Sequence, residues 1–228
     1  MFWQDESEQQ VPTASSEVVD VVFHVRGKEL PCDHAWALMN AIQARLSWFG
    51  DDPRHGLHLI HPAASGNGWY SPEDAASATM YLPRRARLAL RVPQERVGDA
   101  STLEGSSLDI EGYELRVGAS EIRLLSLHTT LHSRHVLSGA DDPSEVSFLT
   151  WAAETLNALG IRCRKMVAGR ESTIGMPGGI HQTRSLLLAD LRRDEALRLQ
   201  EMGLGDGRRL GCGVFVPHKA VRDLFVEN

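Results

Sequence analysis

Three groups of side chains in this sequence have types and spacings suited to chemistry. The first is Asp33-His34, which opens the segment DHAWALMNAIQARL. Asp33 is a good helix N-cap, and His34 then stands in the first turn. The positive end of a helix disfavours imidazolium, so a histidine there stays a neutral base near pH 7, and the same end attracts phosphate. Another reading is open: His34 lies four residues before Leu38 and can pack at the rim of a core. The second group is the glycine-rich segment GLGDGRRLGCGVFVP, residues 203–217. A P-loop needs Lys-Ser/Thr and a following helix, and a dinucleotide fingerprint needs strand, glycines, then helix. This segment satisfies neither. Glycines around Arg208 and Arg209 let a polynucleotide backbone approach closely, which makes Gly205, Gly207, Arg208, Arg209, Gly211 and Gly213 candidate RNA contacts. The plainer alternative is a helix-to-strand connection. The third group is two histidine triplets, His55/His58/His61 and His128/His132/His135. Both lie on segments that read as extended, where such spacings alternate faces, so no metal site is expected from either. There is no G-x-S-x-G elbow for a serine hydrolase.

The elements that must position these groups follow from periodicity. A β-branched run over 18–25 reads as a strand, and 34–47 as a helix with Leu38, Ala41, Ile42 and Leu46 on one face. Short strands follow at 57–61 and 86–92, separated by a Gly/Ser/Pro-rich loop over 62–79. A short helix within 94–103 and a hairpin over 108–117 complete the first half. The second half repeats the order: strand 133–137, a helix capped by Ser144, strand 161–167, a glycine-rich loop over 168–182, strand 184–191, a helix over 195–202 capped by Asp194, and strand 214–216. Two β-α-β-β-α-β units in tandem predict an α+β chain of two ferredoxin-like, RRM-like domains. The expected organisation is a disordered acidic tail over 1–17, an N-terminal domain over 18–125 carrying His34, and a C-terminal domain over 126–228 carrying the glycine-rich segment.

Composition bounds the partners. The 228 residues carry a net charge of −6, which argues against a histone-like or membrane-adhering polycation. The charge is uneven: residues 161–228 hold 12 basic and 8 acidic side chains, against 12 and 22 before them. All but two of those late basic residues are arginines, which suit an anionic partner. Arg84, Arg85 and Arg87 before one strand, then Arg162, Arg164, Lys165 and Arg170, are candidate RNA-gripping residues. His181, in the expected glycine-rich loop beside Arg184, belongs with them. Solvated strand edges are the competing reading. Three widely spaced cysteines and no CxxC pair argue against a disulfide framework or cysteine zinc site. No segment reads as a signal peptide or membrane span, so a cytoplasmic setting is expected.

The glycine-rich segment before the last strand closely resembles the C-terminal signature of the CRISPR-associated repeat-processing endoribonucleases. VVDVVFHVRGKELPCDHAWALMNAI is similar to that family's first strand and helix, in the variant where Asp-His opens the helix, and GLHLIHP and LPRRARLALRVP are also similar. The resemblance spans about residues 18–217. It implies a partner, repeat RNA, and a metal-independent reaction with no cofactor. The ribose 2′-hydroxyl attacks the adjacent phosphate and leaves 2′,3′-cyclic phosphate and 5′-hydroxyl ends. It makes His34 the general acid or base. It leaves room for a guide-RNA effector complex with other subunits, and for a non-catalytic RNA-binding variant. The family often adds a tyrosine or lysine to the histidine; here none follows His34 on its helix, and Trp36 stands nearby, so Arg208 or Arg209 is left to supply charge. A metal-dependent nuclease built on the histidine triplets is the third alternative.

Overall fold

The computed structural model describes residues 16–61, 78–140 and 142–218. The first half supplies β1 (Val18–Arg26), β2 (Glu29–Pro31), α1 (Ala35–Gln43), β3 (Gly56–His58), β4 (Thr79–Tyr81), β5 (Arg87–Pro93), α2 (Val97–Ser101), β6 (Ser107–Ile110) and β7 (Tyr113–Leu124). Five of these strands form one antiparallel sheet in the order β3-β5-β1-β7-β6, and β2 pairs with β4 apart from it. Strand alternation sorts β1 cleanly. Val21, Phe23 and Val25 enter a core with Leu38, Met39 and Ile42 of α1, whereas Asp20, Val22 and His24 take the opposite face.

The second half supplies β8 (Leu131–Val136), α3 (Glu145–Ala158), β9 (Lys165–Met176), β10 (Gly179–Ala189), α4 (Arg193–Met202) and β11 (Val216–Pro217). Its sheet runs β11-β8-β10-β9. Setting β6 aside, both sheets place their last strand beside the first and the third strand between first and second, which is the ferredoxin-like order used twice. Phe148, Ala152 and Leu156 of α3 and Ala196 and Leu199 of α4 fill the second core with Leu186 and Leu188 of β10. Ser144 caps α3 by accepting from Ser147 N–H at 3.2 Å.

Several expectations need correction. The strand expected at 161–167 starts only at Lys165, and the glycine-rich loop expected at 168–182 is instead the rest of the 12-residue β9, a tight turn and the first four residues of the 11-residue β10, paired from Lys165–Ala189 to Met176–Gly179. Half of β9 is exposed and only Ile174 is buried, so no run of apolar residues announces it; backbone pairing at a sheet edge holds it. His181 therefore lies on a strand opposite Ile174, not in a loop. Helix α1 stops at Gln43 and β11 is two residues long. Ser16, counted with the tail, is buried and donates to Glu201 Oε1. The remainder of that tail, 1–15, and nearly all of the 62–79 loop lie outside the described residues. Among the described residues no helix is long and apolar enough to cross a membrane.

The glycine-rich segment is packed against protein rather than open to a ligand. Gly207 and Gly211 bracket a 3-10 turn at Arg208–Leu210 with φ of 76° and 86°. A Cβ on Gly211 would lie 2.5 Å from Leu59 Cγ, one on Gly205 2.4 Å from the Leu137 carbonyl oxygen, and one on Gly207 3.3 Å from Cys212 Cβ. Gly213 has φ of 62°, and a Cβ there would meet the Leu204 carbonyl oxygen at 2.1 Å. These four glycines let chain segments close on one another, which is a structural reason for them alongside their reading as a phosphate cradle. Gly213→Ala combines a left-handed backbone with a backbone clash. It is expected to destabilise the fold by more than about 2 kcal/mol, read as a lowered urea midpoint against wild type.

Candidate active site

The start of α1 is wedged between the two sheets. Ala35 packs with Ile174 of β9 and Cys212 of the glycine-rich segment in a small buried cluster of its own. Asp33 does not cap the helix; its Oδ2 accepts from Gly175 N–H at 2.8 Å, tying the helix start to the β9–β10 hairpin. The helix N-cap is His34 itself, with no side-chain capping bond.

His34 is 2% exposed. Its Nδ1 faces two acceptors, the carbonyls of Pro31 at 3.0 Å and Cys32 at 3.2 Å, so Nδ1 carries the proton. The lone pair is thereby fixed on Nε2, which accepts from Ile60 N–H at 3.3 Å. Burial lowers the His34 pKa, against the Pro31 and Cys32 carbonyls and the Asp33 carboxylate, which favour the cation. The ring is a neutral base with a defined tautomer. Its basic nitrogen is covered by the chain that leaves β3, and Leu59 of that chain is seated against Gly211.

Two further histidines lie within electrostatic reach of it, and an arginine within reach of those two. His61 ends the same covering segment, and burial, reinforced by the charges of Arg134, His135 and His34, pushes its pKa down to about 3. His135, on β8, is pushed down to about 4 by burial, then by Arg134, His34 and His132. Arg134 is half-buried, and burial lowers its pKa as well. The seam thus joins His34 and His61 from the first half to Arg134 and His135 from the second. The sequence reading missed this set. His61 and His135 appeared only within the two metal triplets, and nothing local marks Arg134; only the register of β8 against the hairpin brings it to the seam. The triplets themselves come apart: His55 stacks on Phe49, His58 Nε2 lies 3.2 Å from Asp20 Oδ1, and His132 lies beside His218. Among the described residues no three His, Cys, Asp or Glu side chains form a metal-holding group.

The other candidates fall into three sets. Arg208 is 7% exposed, and its guanidinium donates to the carbonyls of Arg54 at 3.2 Å, Gln200 at 3.3 Å and His55 at 3.4 Å. Burial and the neighbouring Arg91 push its pKa down to about 9. It staples the two halves together and has no reach to RNA, because a glycine-rich turn folds inward over it. Arg184 is likewise committed, paired with Glu171 and lying over the Phe148 ring, with its side chain 12% exposed. Arg209 is exposed but runs past Gly50 near Gln43, at the far end of α1 from His34. Arg84, Arg85, Arg162, Arg164 and Arg170 are exposed, while Lys165 pairs with Asp190 at 2.7 Å. Arg87 lines a cleft of about 690 Å³ between the open face of the first sheet and β11. His181 and Ile174 point to one face of the hairpin, the face that meets Ala35.

Comparison with known proteins bears on the family and the fold. The CRISPR-associated endonuclease Cas6 of Myxococcus xanthus (strain DK1622) is 29% identical over 199 residues, which cover 87% of this chain and 81% of that protein. Among solved structures, a CRISPR associated protein Cas6 superposes with a TM-score of 0.64 at 12% identity, over 89% of this chain and 100% of its own. An RAMP protein binding different RNA substrates gives 0.61 at 11%, over 87% and 98%. The product of a Cas6-related gene from Pyrococcus furiosus gives 0.56 at 8%, over 87% and 97%. At these identities the three structures speak for the fold. The family model described as Cas6 Crispr matches residues 19–220, nearly the whole of both sheets, and the chain belongs to the Cas6 family.

Proposed function

We propose that this protein cuts precursor CRISPR RNA within its repeats by attack of the ribose 2′-hydroxyl on the adjacent phosphate, with His34 as the proton acceptor. The observation that carries the reading is the His34 tautomer: two backbone carbonyls hold Nδ1–H and leave a neutral lone pair on Nε2 at the start of a helix. A nucleophile held beside its own phosphate already has proximity, so the protein must move protons and stabilise charge on the phosphorane. Arg134 supplies a cation at the seam. For Nε2 to reach a 2′-hydroxyl it must exchange the long bond to Ile60 N–H for the substrate, so RNA entry parts the 59–61 segment from the ring. The exposed arginines Arg84, Arg85, Arg162, Arg164 and Arg170, with Arg87 in the cleft, are the proposed grip on the RNA, divided between an N-terminal unit over 18–125 and a C-terminal unit over 126–228. The Myxococcus relative is named an endonuclease, which supports cutting.

One observation favours a second reading. Both ring nitrogens of His34 are satisfied within the protein, as they would be in a subunit that holds guide RNA, with or without other subunits of an effector complex, and does not cut it. The host's repeat RNA, 5′-labelled and incubated in excess EDTA, separates the two. Cleavage is expected at one position, with 2′,3′-cyclic phosphate and 5′-hydroxyl ends, and none is expected when that position carries a 2′-deoxyribose. Tight binding without cleavage, unchanged by added metal, would establish the binding reading. Cleavage only with metal would overturn the mechanism.

A further inference from the structure

Cleavage by a 2′-hydroxyl needs two proton transfers, one from the nucleophile and one to the departing 5′-oxygen, and a single neutral histidine performs only the first. We propose that His135 is the general acid of this site, held for the task by Ser172 and Thr183; the inference rests on the reading of His34 as the base.

The side-chain geometry defines the His135 ring. Thr183 Oγ1 donates to the Ser172 carbonyl at 3.2 Å, so its oxygen is left to accept from His135 Nδ1 at 3.1 Å. Ser172 Oγ stands 3.1 Å from the same nitrogen and 3.0 Å from Thr183 Oγ1. Thr183 is 3% exposed, and a buried hydroxyl pair centred on one ring nitrogen orients the imidazole. Nε2, on the far side of the ring, is the nitrogen left for substrate. Two backbone routes bring this ring to His34. The His135 carbonyl accepts from Gly213 N–H at 2.6 Å, and the preceding Cys212 packs on Ala35, the residue after His34. Ser172 shares its strand face with Ile174, which packs on the same Ala35. The His34 ring lies near enough for its charge to act on His135.

His34 Nε2 takes the proton of the 2′-hydroxyl as the O2′–P bond forms. The P–O5′ bond breaks, its electron pair goes to O5′, and O5′ takes the proton from Nε2 of a protonated His135. The reaction ends with the extra proton on His34 and a neutral His135, and exchange with water resets both. Burial first, and then the charges of Arg134, His34 and His132, oppose protonation of His135 in the free protein, and His61 stands by as well; the incoming phosphate anion is the charge that works against them.

The test is a pair of repeat RNAs, one natural and one with sulfur in place of the 5′-oxygen at the cut site. A thiolate leaves without a proton, so loss of the acid should not slow the sulfur substrate. His135→Ala and His135→Asn are expected to cut the natural RNA about 10²- to 10⁴-fold slower while binding it as wild type does, and to cut the sulfur RNA within a few-fold of wild type. His34→Ala should be slow on both. Equal loss on both substrates by His135 variants that still bind RNA, or no loss on the natural RNA, would overturn the assignment. A wild type that cuts neither RNA in EDTA would overturn the reading of the site itself, a different failure.

Discussion

His34→Ala binds the repeat RNA with wild-type affinity and cuts it about 10³-fold slower in EDTA: that is the expected result, and it lies within the range for losing a positioned proton-transfer group. The reason is the fixed tautomer. With Nδ1–H held by Pro31 and Cys32, every His34 ring presents the same basic nitrogen, and burial keeps it neutral. The pH profile follows with a definite sign. A base with a lowered pKa is already deprotonated at neutral pH, so kcat/KM should be flat around pH 7 on the His34 limb. It should fall only as pH drops below the ordinary imidazole value of 6.5. The substitution also removes partners from two buried carbonyls and the Ile60 N–H, at a cost of about 1–3 kcal/mol. A thermal melt and a binding isotherm therefore accompany the rate. Wild-type cleavage by a folded His34→Ala would place the base elsewhere at the seam, with His61 the next residue to replace.

The sequence placed His34 at a helix start for reasons that were partly right. Its place before a clean amphipathic run put it at a helix start, where the structure has it, but the capping role given to Asp33 is absent because that carboxylate turns to Gly175 across the seam. The tandem fold was legible because each half keeps its order of elements and because β1, β5 and α1 carry strong apolar periodicity. β9 was illegible for the opposite reason: only one of its twelve residues is buried, and its glycines at 169 and 175 accommodate Ser185 and Asp33 rather than making a loop. Arg208 shows the limit most clearly. A basic residue in a glycine-rich turn looks the same in sequence whether the turn faces solvent or folds inward, and only burial against three carbonyls decides it. Arg134 and His135 depend on strand register across the chain, which no local pattern encodes.

Arg91→Met is expected to destabilise the protein by about 3–5 kcal/mol, the largest stability effect among these substitutions, because it takes the donor from the Phe215 carbonyl and leaves Asp20 with only His58 and the Gln200 carbonyl with only Arg208. Arg91 is 1% exposed on β5 and directly opposite Asp20 on β1. Its Nε and Nη2 donate to the two Asp20 oxygens at 2.8 and 2.9 Å, while Nη1 donates to the carbonyls of Gln200 at 3.0 Å and Phe215 at 2.9 Å. One guanidinium therefore joins the first sheet to the end of α4 and the approach to β11. Burial works against ionisation of Asp20, but Arg91 and His58 outweigh it and hold the carboxyl well below the usual carboxylate range. A depressed carboxyl pKa stabilises the fold above the unfolded value of about 3.9, and that contribution drains away as pH falls from there toward the folded pKa. Wild type should thus lose urea resistance steeply below about pH 4, and Asp20→Asn, weaker at pH 7, should show a shallower acid decline. The double variant Asp20→Asn/Arg91→Met should recover part of the Arg91→Met loss, since no unpaired carboxylate remains buried. Additive losses in the double variant would mean that Asp20 does not depend on Arg91. The same strut bears on cleavage: it fixes the first sheet, which carries His34, against the second, which carries Arg134 and His135. Folded Arg91→Met, assayed in the cold, is therefore expected to lose cleavage rate beyond what its folded fraction explains.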